Sequence, residues 1–120
     1  GSKGAKFFFD GKEAVVEGHK VKAVDEDGQV VGMGRVVGDG AVVCYIQDLI
    51  VIPKVQKLGI GSMIIQKLKA YVESVREEGS TMMLCLMCAK GREPFYEKHG
   101  FIQRPTDTLG PGMIQYLTEK

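Results

Sequence analysis

The segment from residue 41 to residue 88 constrains the fold more than any other. An apolar run, AVVCYIQDLIVIP, ends in Pro53 and passes through Gly59 and Gly61 into a helical pattern, and a second apolar run, TMMLCLMC, follows. Ile64, Ile65, Leu68, Tyr71, Val72 and Val75 recur at spacings of three and four, while Lys67, Lys69, Glu73, Arg76 and Glu77 fill the other face. That spacing predicts a helix over 61–78, with Gly79 as its C-terminal stop. Strand, helix and strand in so short a stretch form a right-handed crossover, so runs 41–52 and 81–88 are expected to lie parallel.

Two Asp-Gly pairs upstream, Asp27-Gly28 and Asp39-Gly40, mark hairpin turns between apolar runs. They predict an antiparallel meander of about 20–26, 29–37 and 41–52. The third run is almost wholly apolar, as befits a central strand covered on both faces. Its polar pair, Gln47-Asp48, breaks the alternation and predicts a bulge, which re-aims side chains. Downstream, REPFYEKHG predicts a short helix with Pro94 in its first turn and Gly100 at its end. FIQR and MIQYLTE read as short strands. Before Lys20 the pattern is weaker: DGKEAVVEG reads as a short helix capped by Asp10 or as an irregular segment, and FFF as a strand or a hydrophobic plug. The expected fold is α/β of the α+β kind: a mixed, mostly antiparallel sheet with a parallel central strand pair and helices on both faces.

At 120 residues the chain is expected to form one domain over 1–120, with Gly1-Ser2 as a tag-cleavage scar. Its apolar fraction of 44%, charged fraction of 26% and net charge of +1 suit an ordinary globule and argue against a coat for nucleic acid. No apolar stretch is long enough to span a bilayer, and no signal peptide is recognisable, so no membrane partner and a cytoplasmic location are expected. Cys44, Cys85 and Cys88 read as reduced, buried thiols. Cys85 and Cys88 at strand spacing point to opposite faces, so neither a disulfide nor a metal site is expected there.

The glycine stretch is a candidate anion site. A Walker loop needs Lys-Ser/Thr after its last glycine, whereas Gly61 is followed by Ser62-Met63. A dinucleotide fingerprint needs a third glycine where Ile64 stands and an acid at the end of the next strand, which here ends in Cys-Ala-Lys. The remaining reading is Gln56-Lys57-Leu58-Gly59-Ile60-Gly61, a Q/R-x-x-G-x-G/A loop running into a helix. Glycines permit close backbone approach. The helix start presents unpaired N–H groups and a positive dipole end, which suits a pyrophosphate.

At this point the chain resembles the GNAT superfamily of N-acetyltransferases. DLIVIPKVQKLGIGSMIIQKL resembles the family's acetyl-CoA pyrophosphate region, EPFYEKHGFIQRP its next motif, and GPGM one branch of small bacterial members. Two departures stand out. Lys90 occupies a position where many members carry Asn, and only 19 residues precede Lys20, where members usually place two helices. The resemblance implies the GNAT fold and direct transfer of acetyl from acetyl-CoA, as cosubstrate, to a primary amine, without a metal. It implies that Gln56, Lys57, Leu58, Gly59, Ile60, Gly61 and Ser62 hold the pyrophosphate. The pantetheine arm would follow Leu49, Ile50 and Val51, bonding backbone groups of Leu49 and Val51, with the Val51 N–H on the thioester carbonyl. Lys90, Arg92 and Lys54 are candidate contacts for CoA phosphates.

Tyr96 matches the family's general acid for the departing thiolate. A phenol near 10 facing a thiol near 8.5 makes full proton transfer uphill by about 2 kcal/mol, so a hydrogen bond to the thiolate is the weaker role open to it. Asp48 on the bulge is the candidate base, and burial would have to raise an ordinary carboxylate for that task. Each has a structural reading beside it: Tyr96 as a core ring next to Phe95, Asp48 as a hydrogen-bond acceptor. His19 reads as a surface residue, His99 as packing or capping, Cys44 as a buried thiol rather than an acyl carrier, and Met82, Met83 and Met87 as core filling. A small-molecule amine and a protein amine are both open as acceptors. The short N-terminus predicts a shallow, open acceptor site, with Phe7–Phe9 packed over the cleft or against a second copy as a homodimer. The reading from a different class is a non-catalytic acetyl-CoA sensor or protein-interaction module on the same fold.

Overall fold

The structure, a computed structural model, describes residues 5–9, 12–39, 41–53 and 59–118. The chain divides into two compact units, Gly1–Met87 and Cys88–Lys120. In the first, six strands form one sheet in sequential order: β1 (Ala5–Phe9), β2 (Lys12–Glu17), β3 (Lys20–Val24), β4 (Val30–Gly38), β5 (Val43–Val51) and β6 (Met83–Leu86). Neighbours are antiparallel through β5, and β5 and β6 run parallel. The helix α1 (Ile60–Val75) makes the crossover between those two. The mixed sheet, its meander and its parallel pair are as the sequence predicts.

The β3–β4 turn is built by a side chain that bonds its own backbone. Asp25 Oδ1 accepts from the N–H of Asp27 at 2.9 Å and of Gln29 at 3.0 Å, while Gly28 takes φ +79°, a conformation that costs glycine little. Between β4 and β5, Asp39 Oδ1 accepts from the N–H groups of Ala41, Val42 and Val43 at 2.8, 2.8 and 3.1 Å. Those bonds hold the Asp39 carboxyl below its ordinary value, because they favour the charged form.

The core lies between α1 and one face of the sheet. Ile60, Met63, Ile64, Ile65, Leu68 and Val72 of α1 are buried, as are Val21, Ala23, Val31, Val36, Cys44 and Ile46 of the strands. Each such Ile or Leu contributes roughly 1.5–3 kcal/mol on burial. The helix starts at Ile60 and stops at Val75, one turn short of the predicted end. Gly79, at φ +80°, sits in the turn that follows rather than at the helix stop.

The segment before Lys20 differs from the helical reading. Its backbone is an antiparallel hairpin, with Phe9 opposite Lys12 and Val16 opposite Val21 of β3. Lys, Glu and Ala favour a helix in isolation, but the exposed edge of β3 offers a full ladder of bonds, and pairing overrides propensity. The strand reading of FFF therefore holds. The packing of the Phe7–Phe9 side chains lies outside the described residues, as do the Asp10 cap and Gly40.

The second unit is built around α2 (Glu93–Glu97), with Pro94 in its first turn. Gly100 at φ +91° closes it: the Phe101 N–H bonds the Tyr96 carbonyl at 3.2 Å and the Gly100 N–H bonds that of Glu97 at 3.0 Å. This pair of hydrogen bonds is the Schellman closure. FIQR and the described part of MIQYLTE, residues 113–118, form no strand; residues 101–118 are irregular. Met113, Tyr116 and Leu117 are 89, 83 and 86% exposed. A strand needs a partner ladder, which apolar alternation alone does not supply.

Two glycines let α1 lie close. A Cβ on Gly34 would stand 2.5 Å from Ile64 Cγ2 and 2.9 Å from Leu68 Cδ1, whereas on Gly32 the nearest atoms would be at 3.1 Å or more. Gly34→Ala should therefore lower the unfolding free energy by about 1–3 kcal/mol through overpacking, although alanine suits a strand better by about 0.5–1 kcal/mol. Gly32→Ala should cost less. Urea unfolding of both variants checks the order; an unchanged midpoint for Gly34→Ala would contradict this seating of the helix.

Candidate functional site

The bulge predicted at Gln47-Asp48 is present, and it organises β5. Arg35 pairs with Asp48 but Val36 pairs with Ile46, so Gln47 is the extra residue. Before it, Cys44 and Ile46 lie on the α1 face, opposite Gly38 and Val36. After it the parity is reversed: Leu49 and Val51 share the α1 face with Gly34 and Gly32, while Asp48 and Ile50 turn to the other face beside Arg35 and Met33.

The same register sets the backbone. The Ile52 N–H bonds the Val31 carbonyl at 2.9 Å. By antiparallel alternation Ile50 and Asp48 also direct their backbone groups to β4, and Leu49 and Val51 direct theirs away. On that outer side β6 accompanies β5 only from Val43 to Ile46. The two parallel strands thus part company where Leu49 and Val51 turn outward. Ile50 contributes no outward backbone group; its side chain is 56% exposed on the opposite face.

Next along the chain is the start of α1. Gly59 is its N-cap, at φ +81°, with no side-chain cap and no acidic residue in the first turn. The first intrahelical bond runs from the Met63 N–H to the Gly59 carbonyl at 3.0 Å. The N–H groups of Ile60, Gly61 and Ser62 therefore precede the helical ladder and project from its positive end. An L-residue at Gly59 would be held in a left-handed conformation at roughly 1–2 kcal/mol. Lys54, Gln56, Lys57 and Leu58 lie outside the described residues.

Asp48 is held by Arg35, whose Nε donates to Asp48 Oδ2 at 3.2 Å, with the side chains 38 and 34% exposed. Arg35 is a residue that motif reading missed. The meander register, which sets it opposite Asp48, was the signal that could have found it. His19 is exposed in the β2–β3 turn. A cavity of about 300 Å³ lined by His19, Val36, Val37, Cys44, Tyr71 and Val75 lies towards the other end of β5, and its lining holds no carboxylate.

In the second unit, Tyr96 is fixed by aromatic edges. Its ring meets Phe95 at 5.0 Å and Phe101 at 5.9 Å, both near perpendicular, a favourable arrangement of ring quadrupoles. Its carbonyl is the acceptor of the Schellman closure. Burial, and the neighbouring Cys88, push the Tyr96 phenol above its ordinary value. His99 packs on Phe95 at 5.1 Å, within the packing reading. Arg92, the N-cap residue of α2, lies over the Phe95 ring at 5.2 Å, and Lys90 is exposed in the preceding turn. Cys44 is buried, Cys85 intermediate and Cys88 exposed, so the expectation of three buried thiols holds in full only at Cys44.

Comparison with known proteins places these features in context. A family model described as an acetyltransferase (GNAT) domain matches residues 17–103. The chain is 30% identical over 81 residues to the chloroplastic GCN5-related N-acetyltransferase 3 of Arabidopsis thaliana, covering 68% of this chain and 32% of that protein. It thus spans about a third of the length of that relative. A crystal structure of a probable acetyltransferase from meticillin-resistant Staphylococcus aureus is 34% identical at a TM-score of 0.67, covering 81% of this chain and 70% of that one. A GNAT family acetyltransferase from Streptococcus pneumoniae is 30% identical at a TM-score of 0.65, with 83 and 71% covered.

Proposed function

The chain belongs to the GNAT acetyltransferase family, and we propose that it transfers the acetyl group of acetyl-CoA directly to a primary amine. One observation carries the reading: the stretch of β5 beyond the bulge, where Leu49 and Val51 turn their backbone groups away from β4 just ahead of a glycine-led helix start. A thioester arm needs an extended run of donors and acceptors. A diphosphate needs several convergent N–H groups, each charge-assisted bond contributing roughly 1.5–3 kcal/mol. In this reading Gln56–Ser62 hold the diphosphate, and Lys90 and Arg92 reach the more distal phosphates.

The chemistry asks three things of the chain. The Val51 N–H stabilises the oxyanion that forms on the thioester carbonyl as the amine nitrogen attacks it. Asp48 takes up the proton the amine must lose, directly or through water, using the carboxylate oxygen that Arg35 does not hold. As the C–S bond breaks, Tyr96 donates a hydrogen bond to the departing sulfur. Because burial raises the phenol, full proton transfer to a thiolate is still further uphill than for the free groups. Tyr96 therefore acts as a donor that lowers the charge on sulfur, and solvent completes the protonation.

Gly61→Asp places a carboxylate among the N–H groups at the helix start. It should abolish acetyl-CoA binding by calorimetry while circular dichroism stays native; unchanged affinity would sink the cosubstrate assignment. Release of free thiol from acetyl-CoA with a panel of amines tests the enzymatic reading itself against a sensor that binds and does not turn over.

Tyr96→Phe keeps the ring contacts and removes the hydroxyl. It should lower kcat by about 10²-fold with acetyl-CoA affinity retained, the scale of one lost transition-state donor. Because burial raises the phenol, it stays protonated through the neutral and mildly alkaline range, so a descending limb of kcat in that range should persist in the variant. A limb that disappears with the hydroxyl, or a loss under tenfold, would contradict this role.

A further inference from the structure

The sheet face turned away from α1 carries a row of charge across four strands. Glu17 pairs in register with Lys20, Lys20 with Arg35, and Arg35 with Asp48, so the four side chains stand side by side with acids outside and cations within. The outer acids are already engaged: Glu17 lies 3.7 Å from the Lys22 ammonium, and Asp48 lies 3.2 Å from Arg35 Nε. Lys20 has no acidic partner among the described residues. It stands directly opposite another cation, an arrangement that is unfavourable on neighbouring strands.

The Arg35–Asp48 pair is also half used. Only Nε of the guanidinium is engaged among the described residues, and only Oδ2 of the carboxylate. Both terminal guanidinium nitrogens and Oδ1 remain to bind something else. The next row on the same face holds Val15, Lys22, Met33 and Ile50, with the Lys22 ammonium beside Glu17, and the row on the other side holds Val37 and Tyr45. Ile50 and Val37 are 56 and 39% exposed. The cluster is therefore a cationic pair beside one free carboxylate oxygen, flanked by accessible apolar surface.

Resting on the acetyl-transfer reading, we infer that this row selects the acceptor, and that the acceptor is an α-amino carboxylate. Its ammonium lies against Asp48 Oδ1, where the proton is removed, and its carboxylate lies against Lys20 and the terminal nitrogens of Arg35. The two dipoles align head to tail, so each charge on the acceptor meets its opposite. The acceptor's side chain rests on the apolar rows. A neutral or polycationic amine would leave Lys20 and Arg35 facing each other without an anion, and a second cation would be repelled.

The test compares L-leucine with L-leucinamide, which differ in the carboxylate charge, as acceptors for the full chain and for Lys20→Gln and Lys20→Glu. The readout is the ratio of kcat/KM for the two amines. Taking its change between variants cancels their different amine basicity. The ratio should fall about threefold in Lys20→Gln and about tenfold in Lys20→Glu, the scale of a partly exposed charge pair. The native preference should shrink at high salt. A ratio that Lys20→Glu leaves unchanged, with both amines acetylated, overturns this inference and leaves acetyl transfer standing. Acetyl-CoA bound in calorimetry with no amine acetylated overturns both. Rapid turnover of alkyl amines and none of leucine overturns the inference alone.

Discussion

The extra residue at Gln47 is the constraint from which the rest of the first unit follows. A regular β5 would keep one parity from Val43 to Val51, and Asp48 would then share the helix-facing side with Cys44 and Ile46. That side is sealed: Cys44 and Ile46 are 3 and 4% exposed beneath α1. A carboxylate placed there would lose its water with no partner to replace it, a cost of several kcal/mol. The bulge sends Asp48 to the open face instead, where Arg35 meets it. It also brings Leu49 and Val51 under the helix and turns their backbone groups from the β4 edge to the outer one.

The separation of β5 from β6 has a cause of the same kind. Parallel pairing holds only while both strands keep the same twist and spacing, and a bulge bends its own strand and increases its local twist. The paired stretch ends at Ile46 opposite Leu86, one residue before Gln47. The parting of β6 from β5 and the re-aimed carboxylate are thus two outcomes of one insertion. The small residues across from them complete the arrangement. Gly32 and Gly34 stand opposite Val51 and Leu49, and their missing side chains let Ile60, Ile64 and Leu68 descend onto the sheet. The start of α1 is thereby seated close to the end of β5.

Local chemistry made much of this legible. The helix period, the two Asp-Gly turns and the crossover located β3 to β6 and α1 within a few residues, because each is a short-range signal. The interrupted alternation at Gln47-Asp48 gave the bulge. The β1–β2 hairpin escaped although Asp10-Gly11 is the same dipeptide that marked the later turns; its flank KEAVVE lacks alternation and is rich in helix formers, and only pairing with β3 decides it. MIQYLTE failed in the opposite direction. Its pattern suits a strand, but the ladder that would fix it is not a property of the segment. Arg35 was missed for a related reason: an ion pair across a register is invisible until the register is drawn. For Gln56 to Leu58 the reading rests on the motif alone.

On the proposed reading the two halves of the reaction draw on different parts of the residue. Acetyl-CoA is held by N–H and C=O groups, which every residue but proline supplies, so that side asks chiefly for glycine where the chain must approach closely. The acceptor is read by side chains on the opposite face, where Lys20, Arg35 and Asp48 are separate choices of charge. Substitution in the charged row therefore changes which amine is accepted while the cosubstrate side keeps its backbone geometry. Substitution at Gly59 or Gly61 alters every reaction equally. The bulge is where these two sets meet, since Asp48 and Leu49 are adjacent in the chain and face opposite ways. Straightening β5 with Gln47 retained would exchange the faces, place the Asp48 carboxylate under α1 and turn Leu49 to the other side, whereas deleting Gln47 would leave a regular strand with both residues on their present faces, so it is the bulged register at this point on which both halves depend.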